Sequence, residues 1–184
     1  MKNHMNITVK KTLFLIILFL LGVTSQMAQN KSNQVKNSAC LKWQTQVDPS
    51  FQRIEIDEST LSDAQIQEGM ECLLALKGKT NKARFTGTTR FNPSSSQGYK
   101  LSKKAATVEI AALYYISYLF YNNWEHAGAV ALYDEDTGEV NSEKNIGRAY
   151  KSYQEWFKKI IKIGLEEARK QKLDPLDGSD ISWS

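Results

Sequence analysis

The chain has 184 residues, of which 41% are hydrophobic, 24% charged and 10% aromatic, and its formal net charge is +4. These values are typical of about one globular domain, and they exclude collagen-like, coiled-coil and wholly disordered proteins, which need strong compositional bias. Composition alone does not indicate what the protein does.

The first 25 residues are predicted to be a secretory signal peptide. Lys2, Lys10 and Lys11 give a positively charged start, and an unbroken apolar run follows at 13–21. Small residues at 23–25 then stand where a signal peptidase cleaves. The run is much shorter than the roughly 20 apolar residues of a membrane-spanning helix. We therefore expect a secreted or periplasmic protein with no stable membrane span after cleavage.

Cleavage changes the charge balance of the mature protein. The removed segment holds three lysines and no acid, which leaves 21 basic and 20 acidic side chains and a net charge of +1. Nucleic-acid binding needs a clustered basic surface, and a chain so close to neutral gives it little support. We expect no nucleic-acid partner.

The two cysteines, Cys40 and Cys72, both lie in the exported part of the chain. An oxidising compartment would let them pair, and the bridge would then close a loop of about 32 residues and stabilise the fold by roughly 3 to 4 kcal/mol. The alternative is that Cys72 stays a buried free thiol in an apolar helix while Cys40 lies in a mobile arm.

Three segments are expected: a signal peptide at 1–25, a flexible or extended arm at 26–58, and a helical domain at 59–184. The arm begins with a stretch rich in Gln, Asn, Ser and Lys that has little apolar surface to bury. The remainder predicts an all-α domain of four to five helices, arranged as a bundle or as an irregular array of helix hairpins.

The first helix of this domain is predicted to begin at Ser62, because Ser62 and Gln65 can form a capping box, and to end near Gly78. A connection rich in Gly, Ser, Thr and Asn follows at 79–100, and loops of this length are often functional or disordered. Ser102 can cap the second helix, which is apolar on nearly all sides and therefore predicted to be central.

A further helical stretch is predicted at 124–133, followed by a turn at 134–138. The last helix is predicted at 143–171, because an apolar stripe at helical spacing is opposed by lysines and glutamates over this range. A short tail at 181–183 then ends the chain.

Glu109, Glu125 and His126 are the candidate catalytic residues, and they would serve an envelope hydrolase. His126 is the one histidine left after cleavage, so catalysis that needs an imidazole has to use it. Glu109 lies in the most apolar helix and must be paired or protonated if it is buried. The structural alternative for His126 is a histidine that is hydrogen-bonded at a helix contact or exposed at a helix start. For Glu109 it is an ion pair with Arg148, Arg169 or a lysine.

The sequence predicts no metal site and no cofactor. One histidine and two separated cysteines lack the spacing of a zinc site. The acidic turn that begins at Asp134 departs from a calcium-binding loop, because Gly138 comes one position early and Asn145 stands where a bidentate glutamate is required. Glycine-rich phosphate loops and nucleophile elbows are missing from the sequence.

Aromatic residues in the second half of the chain form the candidate binding surface, since aromatic side chains can stack against a sugar or a peptide. The candidates are Tyr118, Tyr121, Trp124, Tyr133, Tyr153 and Trp156. Core packing explains them as well, because most lie on apolar helical stripes.

The favoured hypothesis is an exported, non-enzymatic helical binding protein that acts on an unidentified protein or envelope component. The aromatic helices and the loop at 79–100 would form its surface. The envelope hydrolase and a purely structural exported protein are the alternatives.

Overall fold

The computed structural model describes residues 39–84, 106–122 and 130–183. Within them, the unit from Cys40 onward is all-α, which confirms the predicted fold class. Its five α-helices are α1 (39–47), α2 (Asp63–Leu74), α3 (Val108–Tyr121), α4 (Glu143–Ile163) and α5 (Leu165–Lys170). A 3-10 helix, Glu58–Thr60, precedes α2, and the strands β1 (Leu132–Asp134) and β2 (Ile181–Trp183) form one small sheet. The predicted signal peptide lies outside the described residues.

Helix α1 corrects the expectation of an extended arm over 39–47. Its Trp43 and Val47 side chains are fully buried, and the Trp43 ring lies against the backbone of Gly69 in α2. A disulfide joins Cys40 to Cys72 across the same two helices, with the Cα atoms 5.2 Å apart. The pairing of the two cysteines is thus present, and α1 belongs to the core. The earlier part of the predicted arm, 26–38, lies outside the described residues.

The capping box at the start of α2 is confirmed. The Ser62 hydroxyl accepts a hydrogen bond from the Gln65 backbone N–H at 3.3 Å, and the Gln65 side chain accepts one from the Ser62 N–H at 2.9 Å. Gly78 adopts the predicted left-handed conformation, with φ of +83°. It lies beyond the last helical residue, in the turn that leads away from α2.

Helix α3 is the central helix, and all its side chains are buried except the half-buried Tyr118 and Tyr121. The predicted start at Ser102 is corrected, because the helix begins at Val108 with Thr107 as its N-cap. The chain just before it is extended: Thr107 forms a bridge with Lys82. Because Thr107 is paired in this way, the helix starts only after it. Ser102 itself lies outside the described residues.

The predicted helix at 124–133 is corrected at its end, where Leu132–Asp134 is strand β1. It pairs antiparallel with β2, so that Leu132 lies opposite Trp183 and Asp134 opposite Ile181. The partner strand is the chain's own tail, about which a local pattern carries no information. Residues 123–129 lie outside the described part.

The predicted helix at 143–171 is divided by Gly164, whose φ of +89° and ψ of 153° end α4. Helix α5 then starts at once and turns Leu165 and Ala168 into the core. Helix α4 is capped by Ser142 and buries one face. That face consists of Asn145, Ile146, Ala149, Tyr150, Tyr153, Trp156 and Ile160. Among the described helices, none combines the length and apolarity that crossing a membrane requires.

Candidate functional site

A cleft of about 430 Å³ lies beside β2, where α3 ends. Helix α3 contributes Ser117 and Tyr121, the turn at 174–179 forms one wall, and Ile181 to Trp183 form another. Clefts of this size are typical of sites that hold a small molecule or one side chain of a partner.

The wall formed by the turn at 174–179 is fixed by its own hydrogen bonds. One carboxylate oxygen of Asp174 accepts from the Leu176 N–H at 2.7 Å, and the other accepts from the Tyr121 hydroxyl at 2.9 Å. The Ser179 N–H donates to the Leu176 carbonyl at 2.9 Å, and Gly178 has the positive φ of +70° that the turn requires. The wall is therefore preformed.

Trp183 forms the aromatic side of the cleft and is held from two directions. Its indole N–H donates to the buried Tyr153 hydroxyl at 2.9 Å, and its ring meets the Tyr114 ring edge-on, with the centroids 5.4 Å apart. The Tyr153 hydroxyl also bonds to Ser117. Burial raises the pKa of Tyr153, so this hydroxyl stays neutral and keeps the indole in one orientation.

The charge of the cleft is negative. Glu135, Asp174 and Asp177 line it, and its described lining contains no lysine, arginine or histidine. Burial, followed by the neighbouring Asp174 carboxylate, raises the pKa of Tyr121, so the tyrosine side chain is a neutral hydrogen-bond donor to Asp174. The potential inside the cleft therefore favours a cationic group.

The structure separates the predicted aromatic surface into cleft, core and periphery. Tyr121 lines the cleft, whereas Tyr153 (0% exposed) and Trp156 (4% exposed) are buried in the core. Tyr118 is half-buried and stacks on Tyr115, with the ring centroids 5.6 Å apart. Tyr133 is half-buried in β1. Thus Tyr153 and Trp156 pack beneath a surface and do not form it.

Trp124, the sixth aromatic candidate, lies outside the described residues. Sequence reasoning missed Trp183, Asp174 and Asp177, which line the cleft. They follow the last predicted helix, in a segment interpreted as a turn and a tail. Trp183 itself was the one feature of this segment that could have indicated a site. Its partners Tyr114 and Tyr153 are distant in sequence, so their contacts could not be predicted.

Glu109 holds two backbone segments together. Its side chain, 6% exposed, accepts a hydrogen bond from the Gly78 N–H at 2.7 Å, and its carbonyl accepts one from the Tyr150 hydroxyl at 3.0 Å. Of the predicted ion-pair partners, Arg169 donates to the carbonyls at the end of α3, and Arg148 pairs with two aspartates. Glu109 thus links the start of α3 to the turn after α2. The other candidate catalytic residues, Glu125 and His126, lie outside the described residues.

Asp134, Asp136 and Asp180 bring their carboxylate oxygens within 4.8 Å of one another. Arg148 donates to Asp134 at 2.9 Å and also pairs with Asp180. The Thr137 N–H is the foremost of the hydrogen bonds that lower the pKa of Asp134, and the Arg148 guanidinium contributes to the same shift. The protein itself supplies donors and a cation to this cluster, so we interpret it as an ion-pair network that fastens β1 to α4 and the tail.

Comparison of the chain with protein-family models, with curated proteins and with solved structures finds no match. A fold class alone does not determine a function, because sites are built from particular side chains on scaffolds of many kinds. What indicates a function here is therefore the geometry and charge of the cleft.

Proposed function

We propose that the protein is an exported, non-enzymatic binding protein that holds part of a protein partner or of an envelope component in the cleft beside β2. The observation that carries the proposal is a preformed concave site with a fixed indole at one side and carboxylates at its rim. Aromatic side chains in such pockets are typical anchors of binding surfaces.

The hydrogen bonds of the lining favour binding over catalysis. A catalytic hydroxyl needs an adjacent base that can take its proton. Ser117 instead bonds to the hydroxyl of Tyr153, a neutral group whose pKa is raised by burial. Asp174 uses both carboxylate oxygens to hold the wall of the cleft. These groups maintain the shape of the site, which is what a binding protein requires.

Export rests on the predicted signal peptide at 1–25. The disulfide between Cys40 and Cys72 is compatible with it, because such bonds persist in oxidising compartments. Fractionation of the producing cells tests this part of the proposal: we expect a protein that begins near Gln26 outside the cytoplasm. An intact Met1 in the cytoplasmic fraction would contradict it.

Affinity capture from the exported fraction tests the binding function. The bait is the mature chain from Gln26 with its tag at the N-terminus, because β2 at the other end forms a wall of the cleft. Asp177→Arg reverses an exposed charge in the cleft, and Glu155→Arg makes the same change on the exposed face of α4. We expect wild type and Glu155→Arg to retain a saturable partner and Asp177→Arg to lose at least nine-tenths of it, on the order of 1.4 kcal/mol in affinity.

The melting temperature of both variants should stay within about 2 °C of wild type, because surface substitutions rarely change stability by more than about 0.5 kcal/mol. A folded bait that captures nothing, or a partner that Asp177→Arg retains as well as Glu155→Arg does, would refute binding through this cleft.

A further inference from the structure

We infer that the cleft recognises a basic side chain of the partner, and that arginine fits it best. This inference rests on the proposed binding function and names the chemistry of the group that is bound. It depends on two independent features of the cleft, its aromatic side and its charge.

The aromatic side of the cleft suits a planar cation. Trp183 and Tyr121 both line the cavity, and the contacts of Trp183 with Tyr153 and Tyr114 fix its ring before any partner arrives. Guanidinium groups stack on aromatic faces, and tryptophan attracts cations more strongly than the other aromatic side chains do. A preformed ring avoids the entropy cost of ordering it during binding.

The carboxylates determine the sign of the charge that is bound. Glu135, Asp174 and Asp177 are all exposed, and Asp174 is in addition held in place by Tyr121 and Leu176. The described lining has carboxylates and no basic residue, and a concave surface of this charge concentrates cations and repels phosphates and other anions. Arginine combines a flat face for stacking with a fork of donors for carboxylates, whereas lysine offers only a point charge.

The nearby Asp134, Asp136 and Asp180 cluster shows the same recognition within the chain, where Arg148 donates to Asp134 and pairs with Asp180. That arginine is provided by α4 and engages two of the three carboxylates. In the cleft, the guanidinium would come from the partner.

The test is a titration of the folded mature chain with N-acetyl-L-arginine amide, followed by nuclear magnetic resonance. N-acetyl-L-citrulline amide is the matched neutral probe, because it has nearly the same shape without the charge. The Trp183 indole N–H signal, assigned with Trp183→Phe, reports on the cleft. We expect a saturable shift with a dissociation constant below about 10 mM for the arginine probe, and at least tenfold weaker binding of citrulline.

Asp177→Asn combined with Glu135→Gln should weaken binding of the arginine probe about tenfold, because two exposed charge contacts are lost. Glu143→Gln combined with Glu155→Gln changes the net charge equally on α4 and should leave binding within about twofold, since neither of these exposed side chains lines the cleft. Equal binding of citrulline, no saturable shift in the wild type, or a cleft variant that binds like wild type would each overturn the inference.

The two proposals fail separately. If the protein captures a partner through the cleft but the indole signal does not respond to the arginine probe, the binding function stands and the inference about basic side chains fails. If the arginine probe binds but no partner is captured, the chemistry of the cleft stands and the proposed function fails.

Discussion

The contact between α1 and α2 makes a prediction about two glycines that lie in helices. A Cβ atom at Gly69 would lie 2.8 Å from the nearest carbons of the Trp43 ring, whereas a Cβ at Gly147 in α4 would meet nothing within 4 Å. Both glycines are inside helices, where alanine is intrinsically favoured by about 1 kcal/mol. Gly69→Ala and Gly147→Ala should therefore gain the same stabilisation from helix propensity. They differ in the cost of packing the added methyl group.

A methyl group at Gly69 is unfavourable because the buried Trp43 ring already occupies the space beside it. Carbon atoms pack best about 3.5 to 4.0 Å apart, so a contact at 2.8 Å forces the ring or the helix to shift. Trp43 is 0% exposed, and inserting a methyl group into a packed core costs about 1 to 3 kcal/mol. We expect Gly147→Ala to raise the free energy of unfolding by up to about 1 kcal/mol, and Gly69→Ala to lie about 1 to 3 kcal/mol below Gly147→Ala.

Urea unfolding of the mature chain, followed by circular dichroism with the disulfide intact, measures both free energies. The two variants and wild type should unfold with the same dependence on urea concentration, so that their midpoints can be compared directly. If Gly69→Ala is as stable as Gly147→Ala, the Trp43 ring does not lie against Gly69, and the placement of α1 on α2 is refuted.

Three further predictions concern the stability of the fold: the disulfide, the backbone conformation of Gly164, and the Asp134 carboxylate. Replacing Cys40 and Cys72 together by serine should lower the free energy of unfolding by roughly 3.7 kcal/mol, as measured by urea unfolding. Gly164→Ala should lower the free energy of unfolding by about 1 to 3 kcal/mol in the same assay. The φ of Gly164 is +89°, and residues other than glycine rarely adopt such a backbone conformation. The pKa of Asp134 is lowered in the folded state, so its stabilisation is complete above the ordinary carboxylate pKa and is lost as the pH falls through the lower folded value. Thermal melting between pH 2 and about pH 7 should therefore show a weaker loss of stability in acid for Asp134→Asn than for wild type.

Each of these predictions has a matched control. Dithiothreitol should destabilise wild type and leave the double serine variant unchanged; an equal effect on both would contradict the role of the bridge. Gly147→Ala is the control for Gly164→Ala, since both sites are sterically open and only one has a positive φ. Asp136→Asn tests the specificity of the pH effect, and a variant at Asp134 that melts in acid like wild type would contradict the role of that carboxylate.

Local signals were sufficient for the regular part of the fold. The capping box of Ser62 and Gln65 and the apolar run of α3 are properties of neighbouring residues, and the structure contains both as predicted. The apolar stripe of α4 was equally clear, but its spacing continues through Gly164 into α5. Gly147 continues a helix and Gly164 ends one, although both fit the same local apolar spacing; only the structure shows that Gly164 has a positive φ.

Features that depend on distant pairing could not be predicted from the sequence. The apolar residues of helix α1 do not by themselves reveal their partners: Trp43 lies against Gly69, and Cys40 pairs with Cys72 in the next helix. Strand β1 pairs with the tail at 181–183. The middle pair joins Tyr133 to Ser182, which lies 49 positions later in the sequence. The same holds for the cleft: the sequence predicted Tyr121, but Asp174 comes from the turn at 174–179 and Trp183 from the tail.

The cleft and the ion-pair network of Asp134, Asp180 and Arg148 both involve strand β2 or the residue before it. The stability of the network therefore affects the shape of the cleft. Asp134 lies opposite Ile181 in the sheet, and Arg148 reaches from α4 to both Asp134 and Asp180. Arg148 thus holds Asp180, the residue just before β2. Strand β2 contains Trp183, which lines the cleft. Asp134 and Asp180 are therefore engaged by Arg148, whereas Glu135 and Asp177 are exposed at the rim of the cleft. Acid that protonates Asp134 would remove its ion pair with Arg148, and would thereby weaken the attachment of the strand that carries Trp183.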